Sequence, residues 1–283
     1  MKFGKFSIDV IDTTIFSLDG GAMFGVVPKT MWSKAYHPGD ENNRIPMAAR
    51  PMLVRWESHN LLVDCGNGTK LSEKLTKIYG IDNEKSALAP HLVKFGLKPD
   101  DITDVVLTHL HFDHSGGATD MQDGKVVPAF PNAKYYVQKK HLEWARNPTE
   151  KDRASFFPEN YEPIAAEGMF ELIDGDGELF EGINLITANG HTSTMQMVQI
   201  DSGERKLIYV ADFCPTSAHI HIPFVMGYDN MPLISLEEKR RLIPQAYEEN
   251  SIFVFEHDAF VQAATIASNE KGFSVKEKIE ISK

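Results

Sequence analysis

Hydrophobic positions fall in short runs that stop at polar, turn-forming clusters, a rhythm that predicts many short strands interleaved with helices. Residues 6–18 alternate loosely and predict an edge strand. Residues 52–56 and 60–64 bracket Glu57-Ser58-His59 as a β-hairpin. Helical spacing follows at 70–79 and 86–95, the second closed by Gly96, before Val105-Val106-Leu107 predicts a buried strand. Further strands are expected at 133–137, 183–187, 195–200, 207–210 and 251–255, with an antiparallel pair within 262–280. Residues 138–146 predict a helix stopped by Asn147-Pro148. The clearest amphipathic helix is 235–249, with Leu236, Leu242, Ile243 and Ala246 as its apolar side. Three stretches lack a period. Residues 19–32 read as a glycine-rich loop with no helix signal and no phosphate-cradling Gly-Lys-Ser/Thr ending. Residues 36–50 read as a polar surface excursion, and 148–168 as a candidate lid.

What ends the apolar runs changes the picture. Four of them stop at a metal-binding residue type: Asp64, His109, Asp212 and His257. A fifth candidate, His191, sits in the turn Gly190-His191-Thr192. The densest cluster is Thr108-His109-Leu110-His111-Phe112-Asp113-His114-Ser115-Gly116-Gly117, with four potential donors in six residues. Extended backbone sends His109, His111 and Asp113 to one side, and the turn brings His114 round. Buried imidazoles and carboxylates need partners, and a divalent cation serves all of them at once. Alone, His191 reads equally as a satisfied turn histidine, Asp212 as a turn cap and His257 as a core residue; their order after the cluster is what recruits them. Two divalent ions then divide the donors: His109, His111 and His191 for one, and Asp113, His114 and His257 for the other. Asp212 and a hydroxide lie between them. Zinc suits imidazole and carboxylate ligands best, with iron or manganese as alternatives. His219-Ile220-His221 repeats the His-x-His spacing without the Asp-His continuation and reads as loop residues or as supports behind the ligands. His37, His59, His91 and His141 read as surface or helix-face residues.

Composition narrows the class. The 283 residues, 42% hydrophobic and 24% charged, suit one large soluble domain over 1–283. A net charge of −11 disfavours nucleic acid as a partner. No stretch reaches the roughly 18 apolar residues of a membrane helix, and the N-terminus reads as a strand rather than a signal peptide. Cys65 and Cys214 give no disulfide framework and read as small buried hydrophobes, so a cytoplasmic setting is expected.

The motif at 108–117, with Gly190-His191-Thr192, Ala211-Asp212 and Glu256-His257, resembles the metallo-β-lactamase-fold hydrolases over essentially the whole chain. The stretches 20–29 and 255–258 are similar to the branch holding quorum-quenching lactonases and methyl parathion hydrolase. That resemblance implies an α+β, four-layer αββα sandwich, a dinuclear metal site at one edge and often a homodimer. Asp64 matches the early aspartate that orients the site. Three departures bear on substrate. Asp212 stands where true β-lactamases of this fold carry a cysteine ligand. Thr192-Ser193-Thr194-Met195 replaces the Thr-Pro-Gly-His of many lactonases, and Pro215 stands where some acyl-homoserine lactonases place a tyrosine. The expected activity is hydrolysis of a small ester or lactone, N-acyl homoserine lactone included, with Asp113 passing a proton to the leaving alcohol. Phosphotriester or phosphodiester cleavage is the alternative on the same site, and a diiron redox or metal-binding protein the non-hydrolytic one. Phe24, Trp32, Phe213 and Phe224 are candidate pocket walls, though each taken singly reads more readily as core.

Overall fold

A computed structural model describes residues 1–282. Two compact units emerge, one from residues 1–14, 49–175 and 282, the other from 15–48 and 176–281.

The first unit is built on a seven-stranded sheet. Lys2–Phe3, Phe6–Val10, Met52–Trp56 and His59–Val63 pair antiparallel in that order. His59–Val63, Asp104–Val106, Lys134–Gln138 and Phe170–Ile173 then continue in parallel. Parallel strands are covered on both faces and so read as unbroken apolar runs. Leu62, Val105, Leu107 and Val137 are indeed fully buried in one cluster with Tyr135, Phe156, Tyr161 and Ile164. Each such aliphatic side chain contributes about 1.5–3 kcal/mol.

The second unit holds another seven-stranded sheet. Its order is Gly177–Phe180, Ile183–Ala188, Met195–Asp201, Lys206–Tyr209, Ile252–Val254, Ala263–Asn269 and Gly272–Ile279. Only Lys206–Tyr209 and Ile252–Val254 pair in parallel there. The helix Pro232–Glu248 supplies the long connection that parallel pairing requires. The α+β expectation is met, with two large sheets. Among the described residues, no helix is long and apolar enough to cross a membrane.

Several local expectations are corrected. The strand expected over 6–18 is two, Phe6–Val10 and Thr14–Asp19. The loop expected at 19–32 contains the helix Gly20–Phe24 and the start of Lys29–Ala35. Asp19 caps the first by accepting from Ala22 N, and Pro28 precedes the second. Gly20 is tolerated there because Trp32 packs where a Cβ would stand. Within the expected surface excursion, Arg44–Ala49 is a largely buried strand paired with Thr14–Asp19.

The candidate lid at 148–168 contributes Phe156, Tyr161 and Ile164 to the core of the first unit, with Tyr161 donating to Ala145 O at 2.9 Å. The helix Pro232–Glu248 buries Ser235, Lys239, Ile243 and Ala246, while Leu236 and Leu242 are only half-buried. Lys239 can face inward because its Nζ donates to Phe224 O at 2.5 Å and His221 O at 3.3 Å. Even so, burial pushes its pKa down to about 8.

Candidate metal centre

In both sheets the donor residues follow the carboxyl ends of strands. Asp64 follows His59–Val63, and His109 follows the parallel neighbour Asp104–Val106. Asp212 follows Lys206–Tyr209, and His257 follows its parallel neighbour Ile252–Val254. His191 follows Ile183–Ala188, which two antiparallel pairings set in the same direction as Lys206–Tyr209. Adjacent parallel strands release their chains side by side, so crevices at such ends collect functional groups.

In the first unit, His109, His111, Asp113 and His114 are all buried. His111 is extended, and the chain then turns into the short helix Phe112–Ser115, which bends Asp113 and His114 away from the strand line. Asp64 organises the turn. Its Oδ1 accepts from Thr108 N at 2.7 Å, and its Oδ2 accepts from Thr108 Oγ1 at 2.7 Å and faces His114 Nδ1 at 3.0 Å. Asp64 holds φ at 59°, a left-handed conformation that aspartate tolerates better than most residues.

The only hydrogen of the Thr108 hydroxyl goes to Asp64, so toward His109 Nδ1, 3.1 Å away, that oxygen accepts. This network assigns the proton of His109 and of His114 to Nδ1 and leaves each Nε2 as a lone pair. His109 Nε2 lies 3.0 Å from His111 Nδ1. Tyr79 stacks on Phe112 at 4.8 Å; burial, and secondly the Asp113 carboxylate, push its phenol pKa up.

In the second unit, Asp212 lies between two imidazoles. Its Oδ2 is 3.1 Å from His191 Nε2, and its Oδ1 is 3.2 Å from His257 Nε2. The far nitrogens are held from outside, His257 Nδ1 by Ala48 O at 2.8 Å and His191 Nδ1 by Asp229 Oδ1 at 3.1 Å. Ala48 O can only accept, so His257 carries its proton on Nδ1 and turns a lone pair on Asp212. The same tautomer at His191 puts a second lone pair on the other oxygen. Acceptor then faces acceptor twice, an arrangement satisfied by protons or by cations. Two ligands about 2.0–2.1 Å from a tetrahedral ion lie about 3.3 Å apart, so the spacing and donor types fit divalent metal. Ala211 takes φ of 44°, a strained conformation for alanine, immediately before Asp212.

Of the candidate pocket walls, Phe24, Trp32 and Phe224 pack on one another. Phe24 stacks on Trp32 at 5.6 Å and on His219 at 4.6 Å, and meets Phe224 edge-on at 5.7 Å. Phe213 lines a cavity of about 30 Å³ with Ile186, Met197 and Leu242. His219 is buried within this cluster, donating or accepting at Thr216 Oγ1 at 2.7 Å and reaching Met23 O at 2.9 Å. Cys65 and Cys214 are both buried, as expected of small hydrophobes.

Sequence reasoning missed three supports. His141 is not a surface residue: it is fully buried and accepts Leu110 N–H at its Nε2 at 2.8 Å. The spacing of His141, Leu142 and Ala145 on one helix face carried that signal. Lys70 Nζ donates to Gly116 O and, at 2.7 Å, to Thr119 O, pinning the glycine turn; burial pushes its pKa down to about 8. Asp229, beside His191, had no local signature.

Comparison with known proteins agrees with this frame. The model of the family described as the metallo-beta-lactamase superfamily matches residues 48–257. The N-acyl homoserine lactonase AiiA of Bacillus thuringiensis subsp. kurstaki is 30% identical over 179 residues, 62% of this chain and 63% of that protein. The match thus spans less than two thirds of that relative's length. A probable metal-dependent hydrolase from Staphylococcus aureus is 33% identical with a TM-score of 0.88, covering 99% of this chain and 100% of its own. AidC, a dizinc quorum-quenching lactonase in complex with a product, superposes with a TM-score of 0.83 at 20% identity, covering 99% and 97%. Family model and fold coincide: the chain belongs to the metallo-β-lactamase superfamily.

Proposed function

We propose that the protein is a metal-dependent hydrolase of a small lactone or ester, with its two units acting as one catalytic domain. In this reading His109, His111 and His191 hold one divalent ion, Asp113, His114 and His257 hold a second, and Asp212 serves both. The observation that carries it is the Asp212 carboxylate set between His191 and His257, each pinned through Nδ1 from outside. Divalent ions at such donors polarise a carbonyl oxygen and make water a competent nucleophile near neutral pH. The chain's own residues do the rest. Asp64 and Thr108 fix the imidazoles of His114 and His109, so little reorganisation is left for the reaction. Asp113 is the carboxylate that passes a proton to the departing alcohol. Relatives named as lactonases favour a cyclic ester such as an N-acyl homoserine lactone over a phosphoester. Zinc is the ion the donors suit best, ahead of iron or manganese. With only two cysteines the chain accords with a cytoplasmic setting, and a homodimer follows from the family resemblance.

Elemental analysis of the purified protein, followed by turnover of homoserine lactones, aryl esters, phosphotriesters and phosphodiesters, tests the reading. Two zinc equivalents and preferential lactone opening are expected. Undiminished lactone turnover by a folded, metal-poor His109→Ala variant would sink it.

A further inference from the structure

His191 is a donor carried by a turn rather than by a strand end or helix. It sits in the six-residue turn between Ile183–Ala188 and Met195–Asp201, and its place is set from the segment 229–238. Met231 N donates to Gly190 O at 2.9 Å, and Asn230 N donates to His191 O at 3.0 Å. Gly190 packs so closely on Ser235 that a Cβ there would overlap it. Two consecutive backbone donors of the turn converge on one side chain. Glu238 Oε1 accepts from Asn189 N at 2.6 Å, and Glu238 Oε2 accepts from Gly190 N at 3.1 Å.

Two consecutive N–H groups presented to one side chain call for a group with two acceptor oxygens. A carboxylate supplies both, whereas an amide supplies one acceptor and sets a donor against the other N–H. Glu238 also stands outside the buried stripe Ser235, Lys239, Ile243 and Ala246 that docks its helix. Its carboxylate therefore acts on the turn more than on the seating of the helix.

We propose that Glu238 is a positioning residue for metal binding at His191, acting through the backbone of Asn189 and Gly190. The inference rests on His191 being a metal ligand, as the proposed function holds. The isosteric variant Glu238→Gln, with His191→Ala alongside, tests it. Each metal-free protein is titrated with Co(II), read by its visible bands, and with Zn(II) against a competing chelator. Circular dichroism and urea unfolding of the metal-free forms report the fold. Glu238→Gln is expected to bind one metal equivalent about 10- to 100-fold more weakly, the range seen when an outer support of a ligand is removed. The other equivalent stays at the wild-type affinity, the metal-free urea midpoint falls only slightly, and Asp229→Asn weakens the same equivalent. If His191→Ala keeps both equivalents at full affinity, the ligand assignment falls and this inference with it. If His191→Ala loses one while Glu238→Gln binds both normally, the inference alone falls. Equal weakening of both equivalents with a lowered urea midpoint would make Glu238 a general structural residue and overturn the positioning role.

Discussion

Asp212 turns one carboxylate oxygen to His191 Nε2 at 3.1 Å and the other to His257 Nε2 at 3.2 Å. With both Nδ1 protons committed elsewhere, the metal-free protein with neutral imidazoles, as at alkaline pH, holds lone pairs against a negative group. Asp212→Asn should therefore act with opposite sign in the two states. Its amide N–H can donate to one imidazole, so the metal-free form gains about 1 kcal/mol. With zinc present the variant loses a charged ligand, and its thermal midpoint falls below wild type. Calorimetry with and without zinc checks this; a parallel shift in both states would contradict it.

His141 lies under the motif turn, its Nε2 accepting from Leu110 N–H between His109 and His111. His141→Leu preserves much of the volume and leaves that donor buried without an acceptor. The expected cost is about 1–3 kcal/mol in urea unfolding. His141→Gln, which can offer an acceptor, should recover part of it. Equal stability of the Leu variant and wild type would show that the bond contributes nothing.

The glycines after the motif are set by close approach. A Cβ on Gly116 would overlap the carbonyl of Asn67, and one on Gly68, already at φ of 65°, would overlap the carbonyl of Gly116. Backbone cannot yield as a flexible side chain can, so Gly116→Ala and Gly68→Ala should each destabilise by about 3 kcal/mol or more. Gly177→Ala, with nothing within 4 Å of the added carbon, should stay within about 0.5 kcal/mol of wild type. Unfolding midpoints of the three variants decide the matter.

His219 introduces an acid sensitivity. Burial, and secondly the Lys239 ammonium, lower its pKa from 6.5 to about 3. The unfolded chain then binds a proton between pH 6.5 and about 3 that the folded chain refuses, so stability falls as pH drops through that window. By pH 5 the loss is about 2 kcal/mol relative to pH 7.5. His219→Phe retains a ring against Phe24 and removes the titration. The difference in unfolding free energy between pH 7.5 and 5 should shrink by that amount in the variant, and an unchanged difference would refute the assignment.

Much of this was legible because it is written locally. Six of the seven proposed ligands either lie within the cluster His109 to His114 or stand just past an apolar run, and strand runs such as Val105-Val106-Leu107 declare themselves by composition. Elements fixed by tertiary contact did not. The helix Gly20–Phe24 contains two glycines and depends on the Asp19 cap and on Trp32. Arg44–Ala49 carries Pro46 yet is a strand because Thr14–Asp19 pairs with it. Lys239 is inward only because two carbonyls await it. Asp229 and Glu238 reach the His191 turn across 38 and 49 residues of sequence, a relation no periodicity encodes.

The pairing of Lys206–Tyr209 with Ile252–Val254 sets Tyr209 opposite Val254, and Asp212 and His257 each stand three positions beyond that rung. Main-chain bonding is thus the ruler for these two donors, whatever happens along residues 213–251. Insertions in that excursion would reshape whatever it covers without moving the gauge. A single residue added inside either strand would slip the frame and part the carboxylate from its imidazole.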